Sequence, residues 1–286
     1  MWGTDLGWRK GSIVIGTGSV VYVCADNLPR AWEESILKLR EIGQRIATQY
    51  DADDEQPSID ATAVIEITDP MSEPRIHRCM PDSIEGLESY RQEVLYGIHD
   101  HWIDPAAGKW QYTYHERLRS YSVPGLEKPV DQIQYMIDSL KSCSYTRRAE
   151  AITWKPWEDA GIHDPACLQR IWGRVADGRF VMNVHMRSND AYQAAFMNMY
   201  AFTELQKMIA DALGVPVGRY VHVADSYHVY GRVQADMASS LIASIDKRTF
   251  EQRTFRTDAV ADIIEEAREK IRRSLEDEKV TGRKGL

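Results

Sequence analysis

The stretch GRFVMNVHMRSND, residues 178–190, alternates in polarity and then ends in a group of polar side chains. Its apolar positions recur at every second residue and are Phe180, Met182, Val184 and Met186. A period of two over this length predicts a β-strand with one buried face. Arg187 follows on the other face with Ser188 beside it, and an arginine offers a planar fork of donors that suits a phosphate. From these residues alone, the segment could also be a strand end that carries only a surface ion pair.

The composition is that of an ordinary soluble globular protein. The chain has 286 residues, of which 43% are hydrophobic and 27% charged, so it can form one large core or two domains. Its net charge of -8 argues against broad nucleic-acid or membrane binding but allows a local basic pocket. Residues 1–11 have no apolar segment and no apolar run is long enough to span a bilayer. We therefore expect no signal peptide, no membrane span and a cytoplasmic location.

The cysteines are widely spaced and form no CxxC pair. They are Cys24, Cys79, Cys143 and Cys167. Zinc sites and disulfide frameworks usually show closely spaced cysteines, so we expect neither a bound metal nor a disulfide. The cysteine pattern still allows a reduced protein in which one cysteine is a nucleophile.

The hydrophobic patterns predict an α+β protein of one domain, residues 1–286, with a large mixed sheet flanked by helices. The predicted strands are two short ones around a glycine turn in 12–24, then 148–154, 170–175, 180–187 and 219–230. The predicted helices are one of about 18 residues after Asn27 with apolar positions from Trp32 to Ile46, then 84–97, 130–142, 198–214 and 257–278. A polar loop is predicted at 51–58, and the stretch 103–128, which is rich in turn-forming and aromatic residues, is also predicted to be a loop.

Several motifs follow one another in the second half of the chain. Arg147 and Arg148 stand side by side, and Trp154 comes seven residues after Arg147. Cys167 lies twenty residues before Arg187. Each of these features is a weak signal by itself.

Further polar positions continue the series. Asp190 belongs to the same short motif as Arg187, and Asn198 comes eleven residues after that arginine. His228 and Tyr230 then form an HxY motif near the end of the last predicted strand.

In this order and at these spacings the motifs resemble those of the thymidylate synthase superfamily, which includes the phage-type deoxycytidylate hydroxymethylases. The resemblance is strongest over residues 110–231. It implies the family's fold and a homodimer with shared active sites. It also implies a pyrimidine nucleoside monophosphate as substrate (dCMP, CMP or dUMP) and 5,10-methylenetetrahydrofolate as co-substrate.

By this resemblance, arginines from two protomers hold the 5′-phosphate of the nucleotide. Arg187 and Ser188 would bind it within one chain, while Arg147 and Arg148 would reach into the site of the second protomer.

The same resemblance assigns the base and the sugar. Asp190 would lie close to the base, and Asn198 would bind its edge. His228 and Tyr230 would bind the sugar hydroxyl.

Cys167 takes the position of the family's nucleophile. C5 of a pyrimidine is a poor nucleophile, and addition of a thiolate at C6 converts the ring into an enamine-like species that can attack an electrophilic carbon. We expect nearby arginines to lower the pKa of Cys167.

Other residues match supporting positions of the family. Glu93 would organise water and move protons, and Glu88 is a weaker candidate for that role. Tyr114 would help to remove the C5 proton, and Arg119 matches an arginine five residues further on. Trp102 is a candidate for the folate site.

Simpler interpretations stay open for these residues. Cys167 could be a structural thiol, Glu93 a solvated helix carboxylate and Tyr114 a core aromatic. Asn198 could only cap a helix, and Trp102 could be core.

The product and the base are less well specified. Leu168 replaces the family's His after the nucleophile, QAAFMN replaces GLPFN, and the C-terminus lacks the family's short apolar tail. The motif MRSND resembles that of phage deoxycytidylate hydroxymethylase. Together with this motif, these departures favour 5-hydroxymethylation over methylation to thymidylate. Asn198 favours uracil, although a one-residue gap would put Met199 at that position. A homologue that binds nucleotides without turnover is a further alternative, whereas an RNA-binding protein would need a basic stripe.

Overall fold

A computed structural model describes residues 20–50 and 56–281. The strands are β1 Val20–Ala25, β2 Gln44–Ile46, β3 Ser58–Ile67, β4 Ile76–His77, β5 Glu150–Ile152, β6 Leu168–Ala176, β7 Arg179–Asp190, β8 Val217–Val229 and β9 Thr254–Phe255. The helices are α1 Leu28–Ile42, α2 Ile84–Tyr96, α3 Tyr114–Arg119, α4 Gln132–Ser142, α5 Pro156–Asp159, α6 Ala195–Leu213, α7 Gln234–Met237, α8 Ala243–Lys247, α9 Phe250–Arg253 and α10 Ala261–Thr281. No helix in these ranges is long and apolar enough to cross a membrane.

A mixed sheet of seven strands forms the centre of the fold. Its order is β1-β3-β8-β7-β6-β5, and β2 pairs with β3. β1 runs parallel to β3 and β7 parallel to β8, while the other pairs are antiparallel. β4 and β9 form a separate two-stranded sheet. The predicted α+β class with a large mixed sheet is confirmed.

β7 and α6 follow the predicted patterns. All four apolar positions of β7 are at most 1% exposed, as period-two alternation predicts. α6 buries the apolar residues Met199, Phe202, Leu205 and Ile209, which recur at helical spacing, and Gly214 ends the helix in the left-handed conformation at φ 70°. α6 begins at Ala195, however, so Asn198 lies inside its first turn and does not cap it.

The structure corrects the prediction for the first half of the chain. α1 ends at Ile42, and Ile46 is an exposed residue of β2 rather than part of the helix. β3 was not predicted, although the residues of this strand alternate between buried and partly exposed. The first strand and the glycine turn predicted in 12–19, and residues 51–55 of the predicted loop, lie outside the described residues.

The predicted loop 103–128 contains a helix, α3, which a buried ion-pair network fixes to the segment around α5. Arg117 is 2% and Asp159 1% exposed, and both Asp159 oxygens accept hydrogen bonds from the Arg117 guanidinium at 3.0 Å. Lys155 is also buried, and its Nζ donates to Glu116 at 2.9 Å. Six residues are too few for a stable isolated helix, so these contacts hold α3 in place.

One face of the central sheet packs against helices, including α1 and α6. The opposite face keeps apolar side chains partly exposed. They include Val20, Tyr22, Val64, Trp172 and Val223. The register places these residues on the same side of their strands, together with charged and polar ones such as Glu66, His185 and Arg219. We call this side, which no helix within the described ranges covers in the same way, the open sheet surface.

Asp159→Ala should lower the free energy of unfolding by about 3–5 kcal/mol, because it leaves the buried Arg117 charge without its bidentate partner. Chemical denaturation monitored by circular dichroism measures this change. Asp211→Ala removes an exposed ion pair with Lys207 and is the matched control, with an expected loss of about 0.5 kcal/mol or less. Equal losses in the two variants would contradict the role of the network.

Candidate active site

A cavity of about 790 Å³ opens where the end of β7 meets α2, α3 and α6. The predicted site residues that line it are Glu93, Tyr114, Cys167, Ser188, Asp190, Asn198, His228 and Tyr230. The fold therefore brings together residues that lie up to 137 positions apart in the sequence, from Glu93 to Tyr230. A smaller cleft of about 400 Å³ shares Cys167, Ser188 and Tyr230 with it and also contains Arg187.

Arg187 holds the segment that carries Cys167. Its Nε donates to the Ala166 carbonyl at 3.1 Å and its Nη2 to the Pro165 carbonyl at 2.5 Å. The backbone N–H of Arg187 also donates to the Cys167 carbonyl at 2.9 Å. The thiol is thus placed at the junction of the cavity and the smaller cleft by three hydrogen bonds from one residue.

The electrostatics of Cys167 differ from the prediction. Burial raises the pKa of the thiol, and this effect outweighs the Arg187 guanidinium, which lowers it; Asp164 raises it further. The expectation that nearby arginines give Cys167 a lowered pKa is therefore wrong for the single chain, because one guanidinium does not compensate for desolvation.

The smaller cleft carries positive charge from two arginines. Besides Arg187 it is lined by Arg232, whose guanidinium lies 4.3 Å from the centre of the Tyr230 ring. Tyr50, His163 and the carboxylate of Asp164 also line the cleft. This combination of cations, the Ser188 hydroxyl and tyrosines can bind an anionic group.

Arg147 and Arg148 lie elsewhere in this chain. Both are exposed, next to β5, and neither lines the cavity or the cleft. The backbone carbonyl of Arg147 accepts a hydrogen bond from Trp172 Nε1 at 3.0 Å, which places the two arginines at the margin of the open sheet surface.

Two buried polar atoms at the cavity have no hydrogen-bond partner among the described residues. They are Asp190 Oδ2 and His228 Nε2. Asp190 Oδ1 accepts from the backbone N–H groups of Tyr192 and Gln193 at 2.9 and 2.8 Å, and burial raises the pKa of the carboxyl. Buried polar groups are normally paired, so these two atoms indicate where a ligand supplies hydrogen bonds.

The side chain of Asn198 is held by Tyr90. The Tyr90 hydroxyl donates to Asn198 Oδ1 at 2.5 Å, and both residues line the cavity. The Asn198 Nδ2 donates to Asn189 Oδ1 at 2.7 Å. Asn198 therefore has a defined orientation at the wall of the cavity.

Glu93 and Glu88 have different surroundings on α2. Glu93 lines the cavity and lies 2.8 Å from His99 Nδ1. Glu88 is outside the cavity, where it accepts hydrogen bonds from Arg91 and Arg268. Burial raises the pKa of Glu88, but those hydrogen bonds outweigh it and lower the pKa overall. The structure thus favours Glu93 over Glu88 as the carboxylate of the site.

The hydroxyl of Tyr114 accepts a hydrogen bond from the backbone N–H of Leu168 at 3.3 Å, directly after Cys167. Burial raises the pKa of Tyr114 well above its ordinary value, so the phenol stays neutral. Arg119 lies away from it and pairs with Asp131 at 3.4 Å.

Trp102 is one layer behind the cavity. It stacks on His99 with ring centres 3.9 Å apart, and its Nε1 donates to Glu278 of α10 at 3.0 Å. Trp110 lines the cavity itself and meets the Trp102 ring edge-on at 5.1 Å. The predicted folate-site tryptophan therefore supports the wall, and Trp110 is the indole that faces the cavity.

Sequence reasoning missed several lining residues. Tyr90 lies three positions before Glu93 on α2, so helical spacing could have placed the two on one face. Asn189 lies within the stretch 178–190, but no local pattern distinguished it from a surface residue. Tyr50 and Arg232 lie outside every motif, and only the tertiary fold brings them to the cleft.

Comparison with known proteins agrees with this geometry. A family model described as thymidylate synthase matches residues 85–279. This chain belongs to the thymidylate synthase family. The match extends through α10, beyond the stretch 110–231 in which the sequence motifs were strongest.

Archaeal members of the thymidylate synthase family are similar over most of the chain. A protein of Methanocaldococcus jannaschii named "Putative thymidylate synthase" is 31% identical over 205 residues, which covers 70% of this chain and 86% of the relative. One from Methanosarcina acetivorans with the same name is 28% identical over 222 residues, or 78% and 94% of the two chains. The solved structure of the thermostable thymidylate synthase A from Bacillus subtilis superposes with a TM-score of 0.61 at 19% identity, over 79% of this chain and 86% of the other.

Arg187→Gln should raise the pKa of Cys167 further, because it removes the positive charge that lowers it. Only the thiolate is alkylated, so the pH midpoint for iodoacetamide labelling of Cys167 should move to higher pH. Peptide mass spectrometry after labelling at a series of pH values, without nucleotide, measures the midpoint.

Arg187→Lys is the control for this measurement, since it keeps the charge and should leave the midpoint closer to that of the unmodified protein. A midpoint that is the same with Gln and with Arg at position 187 would rule out the electrostatic influence of Arg187 on the thiol.

Proposed function

We propose that the protein transfers a one-carbon unit from 5,10-methylenetetrahydrofolate to C5 of a pyrimidine nucleoside monophosphate through a covalent bond between Cys167 and C6, and gives the 5-hydroxymethyl nucleotide. The observation that carries this proposal is the Cys167 thiol at the junction of a cationic cleft and a cavity with unpaired buried polar atoms. The two compartments match the two ends of a nucleotide.

The cleft suits the phosphate. Arg187 uses its Nε and Nη2 to hold the nucleophile segment, and its Nη1 has no hydrogen-bond partner among the described residues. Arg232 and Ser188 lie in the same cleft. Guanidinium and hydroxyl donors of this kind bind phosphate oxygens.

The cavity suits the nucleoside. His228 Nε2 lacks a partner among the described residues and lies beside Tyr230, with ring centres 4.6 Å apart, so this pair can bind the sugar hydroxyl. Asp190 and Asn198 lie further along the wall and can bind the base.

The aromatic side of the cavity fits a folate. Trp110 and Tyr112 line the cavity, and Trp102 and His99 pack against the Trp110 ring from behind. Flat aromatic surfaces of this kind stack on heterocycles. When bound, the folate supplies an electrophilic one-carbon unit.

The chain's own residues then act on the nucleotide. The Cys167 sulfur forms a bond to C6, which makes C5 nucleophilic, and the same bond breaks when the product leaves. Glu93, held by His99, is placed to order water and move protons. The neutral Tyr114 phenol lies beside the nucleophile and can assist loss of the C5 proton through a bound water.

Hydroxymethylation differs from methylation in its last step, where water rather than hydride adds to the new exocyclic carbon. Leu168, which stands where the family has a histidine after the nucleophile, supports hydroxymethylation. The names of the archaeal relatives favour the second candidate, methylation of dUMP to dTMP.

We further propose that two protomers share each active site. The exposed Arg147 and Arg148 do not line the cavity of their own chain, and they border the open sheet surface, which a second copy would cover. The partner's arginines would add to the effect of Arg187 and oppose the burial that raises the pKa of Cys167.

Cys167→Ser should reduce tritium release from the C5-tritiated nucleotide at least about 10⁴-fold, because the hydroxyl is a much weaker nucleophile. Release is measured with dUMP, dCMP, UMP and CMP in the presence of methylenetetrahydrofolate. Nucleotide binding, measured by calorimetry, should persist in the variant. Undiminished release would remove Cys167 from this role, and no release from any nucleotide with the unmodified protein would favour the binding homologue.

Absorbance of dihydrofolate separates the two products. Hydroxymethylation should give tritium release without dihydrofolate, because no hydride leaves the folate. Dihydrofolate formed in a one-to-one ratio with released tritium would establish methylation instead.

Mixing two inactive variants tests the shared site. Cys167→Ser combined with the double variant Arg147→Gln, Arg148→Gln should recover about a quarter of the unmodified activity, since half of the random dimers contain one complete site. Each variant measured alone is the control. Absence of recovery, with subunit exchange confirmed by mass spectrometry, would contradict a shared site.

A further inference from the structure

A cluster of polar side chains connects β4 with α1 and α9. His77 of β4 is fully buried, its Nε2 lies 2.8 Å from Glu33 Oε1, and its ring meets Trp32 of α1 edge-on at 5.0 Å. The Arg253 guanidinium donates to both Glu33 oxygens, at 2.5 and 2.8 Å. Cys79 donates its backbone N–H to His77 Nδ1 at 3.0 Å. We name Arg253, Glu33, His77 and Cys79 the thiol cluster.

The neighbours of His77 fix the tautomer of its ring. A backbone N–H can only donate, so Nδ1 accepts from Cys79. Burial raises the pKa of Glu33, but hydrogen bonds from Arg253 and His77 outweigh it and lower that pKa overall, so this carboxylate is ionised and can only accept. The ring hydrogen of neutral His77 is therefore on Nε2 and faces Glu33. The lone pair of Nδ1 lies on the side of Cys79.

His77 and Cys79 form a base and a nucleophile. Burial lowers the pKa of His77, but hydrogen bonds with the Cys79 side chain and Glu33 outweigh it and raise the pKa, so the ring is a stronger base than a free imidazole. Burial raises the pKa of Cys79, but hydrogen bonds with His77 and Ser244 outweigh it and lower the pKa. A thiol beside a base that a carboxylate orients is the arrangement typical of reactive cysteines.

Cys79 is separate from the active-site cysteine and differs from it in its electrostatics. It is partly exposed and lines neither the cavity nor the cleft. The pKa of Cys167 is raised, because burial outweighs the effect of Arg187, whereas the pKa of Cys79 is lowered. The thiolate is the reactive form of cysteine, so Cys79 is the more reactive of the two in the chain without nucleotide.

A buried hydroxyl beside the Cys79 sulfur lacks a partner. Ser244 of α8 is 7% exposed, and its Oγ has no hydrogen-bond partner among the described residues. This hydroxyl lies close enough to the sulfur to lower the pKa of the thiol. The sulfur also lies 3.9 Å from the Ser240 carbonyl, in the π-helical turn Ala238–Ile242. Buried polar groups are normally paired, and an oxygen atom added to the sulfur would supply the acceptor that Ser244 lacks.

We propose that Cys79 is a modification site at which a peroxide oxidises the thiol to a sulfenic acid. The sulfur attacks one peroxide oxygen while His77 Nδ1 takes the thiol proton, and the O–O bond breaks. The leaving hydroxide receives that proton from His77 and becomes water. The sulfur loses two electrons and the peroxide gains them. The Ser244 hydroxyl then donates to the new oxygen, and Glu33 keeps the ring of His77 in place.

The test measures how fast each cysteine is oxidised in the full chain without nucleotide. The protein is treated with hydrogen peroxide at neutral pH in the presence of dimedone, which traps sulfenic acids, and the labelled peptides are quantified by mass spectrometry. Cys79 should be labelled at least about tenfold faster than Cys167. Cys143 is also partly exposed, lies outside the thiol cluster and is the internal control, so its labelling should likewise be slower than that of Cys79.

His77→Gln removes the base but keeps an amide N–H that can donate to Glu33. The labelling rate of Cys79 should fall at least about tenfold. The pH midpoint for iodoacetamide labelling of Cys79 should move to higher pH, because the hydrogen bond that lowers its pKa is lost. A purely structural role of His77 would leave this midpoint unchanged.

Ser244→Ala removes the unpaired hydroxyl. The free energy of unfolding should stay the same or rise, because a buried polar group without a partner is lost. The labelling rate of Cys79 should nevertheless fall at least about threefold, since one of the groups that stabilise the thiolate is gone. Ser239→Ala removes an exposed hydroxyl nearby and is the matched control, with a rate within about twofold of the unmodified protein.

Three results would overturn the proposal. They are labelling of Cys79 that is no faster than that of Cys143, an unchanged rate at Cys79 in Ser244→Ala, and an unchanged rate in a folded His77→Gln variant. If His77→Gln does not fold, the comparison of Ser244→Ala with Ser239→Ala decides. Since no step uses a nucleotide or a folate, these results are independent of the proposed function.

Discussion

The hydrogen bonds between Arg187 and the segment before Cys167 are the constraint on which the site depends. They fasten the end of β7 to a stretch of chain that would otherwise be a loop, and they determine where the sulfur lies relative to the cavity. The same guanidinium is the nearest positive charge that favours the thiolate. Arg187 thus both holds the segment before Cys167 and favours the thiolate. Both functions require that β7, which carries Arg187, is buried and regular.

The hydrogen-bonding groups differ between the two ends of the site. In the cleft that contains Arg187, the guanidinium Nη1 has no hydrogen-bond partner within residues 20–50 and 56–281, whereas the amide of Asn198 is paired with Tyr90 and Asn189. A charged phosphate tolerates partial hydration and imperfect geometry. A neutral base is distinguished only by hydrogen-bond polarity. The two ends of the site therefore follow different physical rules.

The sequence was sufficient for the elements whose signal is local. The alternation in β7, the apolar stripe of α6 and the spacing of Cys167, Arg187 and Asn198 predicted the strand, the helix and the family. The sequence was insufficient for elements whose formation depends on tertiary contacts. α3 exists because Arg117 finds Asp159 forty-two residues away, and β3 lies in the sheet through long-range partners on both sides. The sign of the Cys167 pKa shift depends on burial, which no spacing of arginines encodes.

α10 links the site to the ionic strength of the solution. Its residues Arg268 and Lys270 pair with Glu88 and Glu85 of α2, the helix that carries Tyr90 and Glu93, and Glu278 binds Trp102 behind the aromatic wall. The pair of Lys270 with Glu85 is exposed on both sides and is screened by salt, whereas the pair of Arg268 with the buried Glu88 carboxylate is screened much less. Added electrolyte would thus weaken the Lys270 contact of α10 with α2 more than the Arg268 contact.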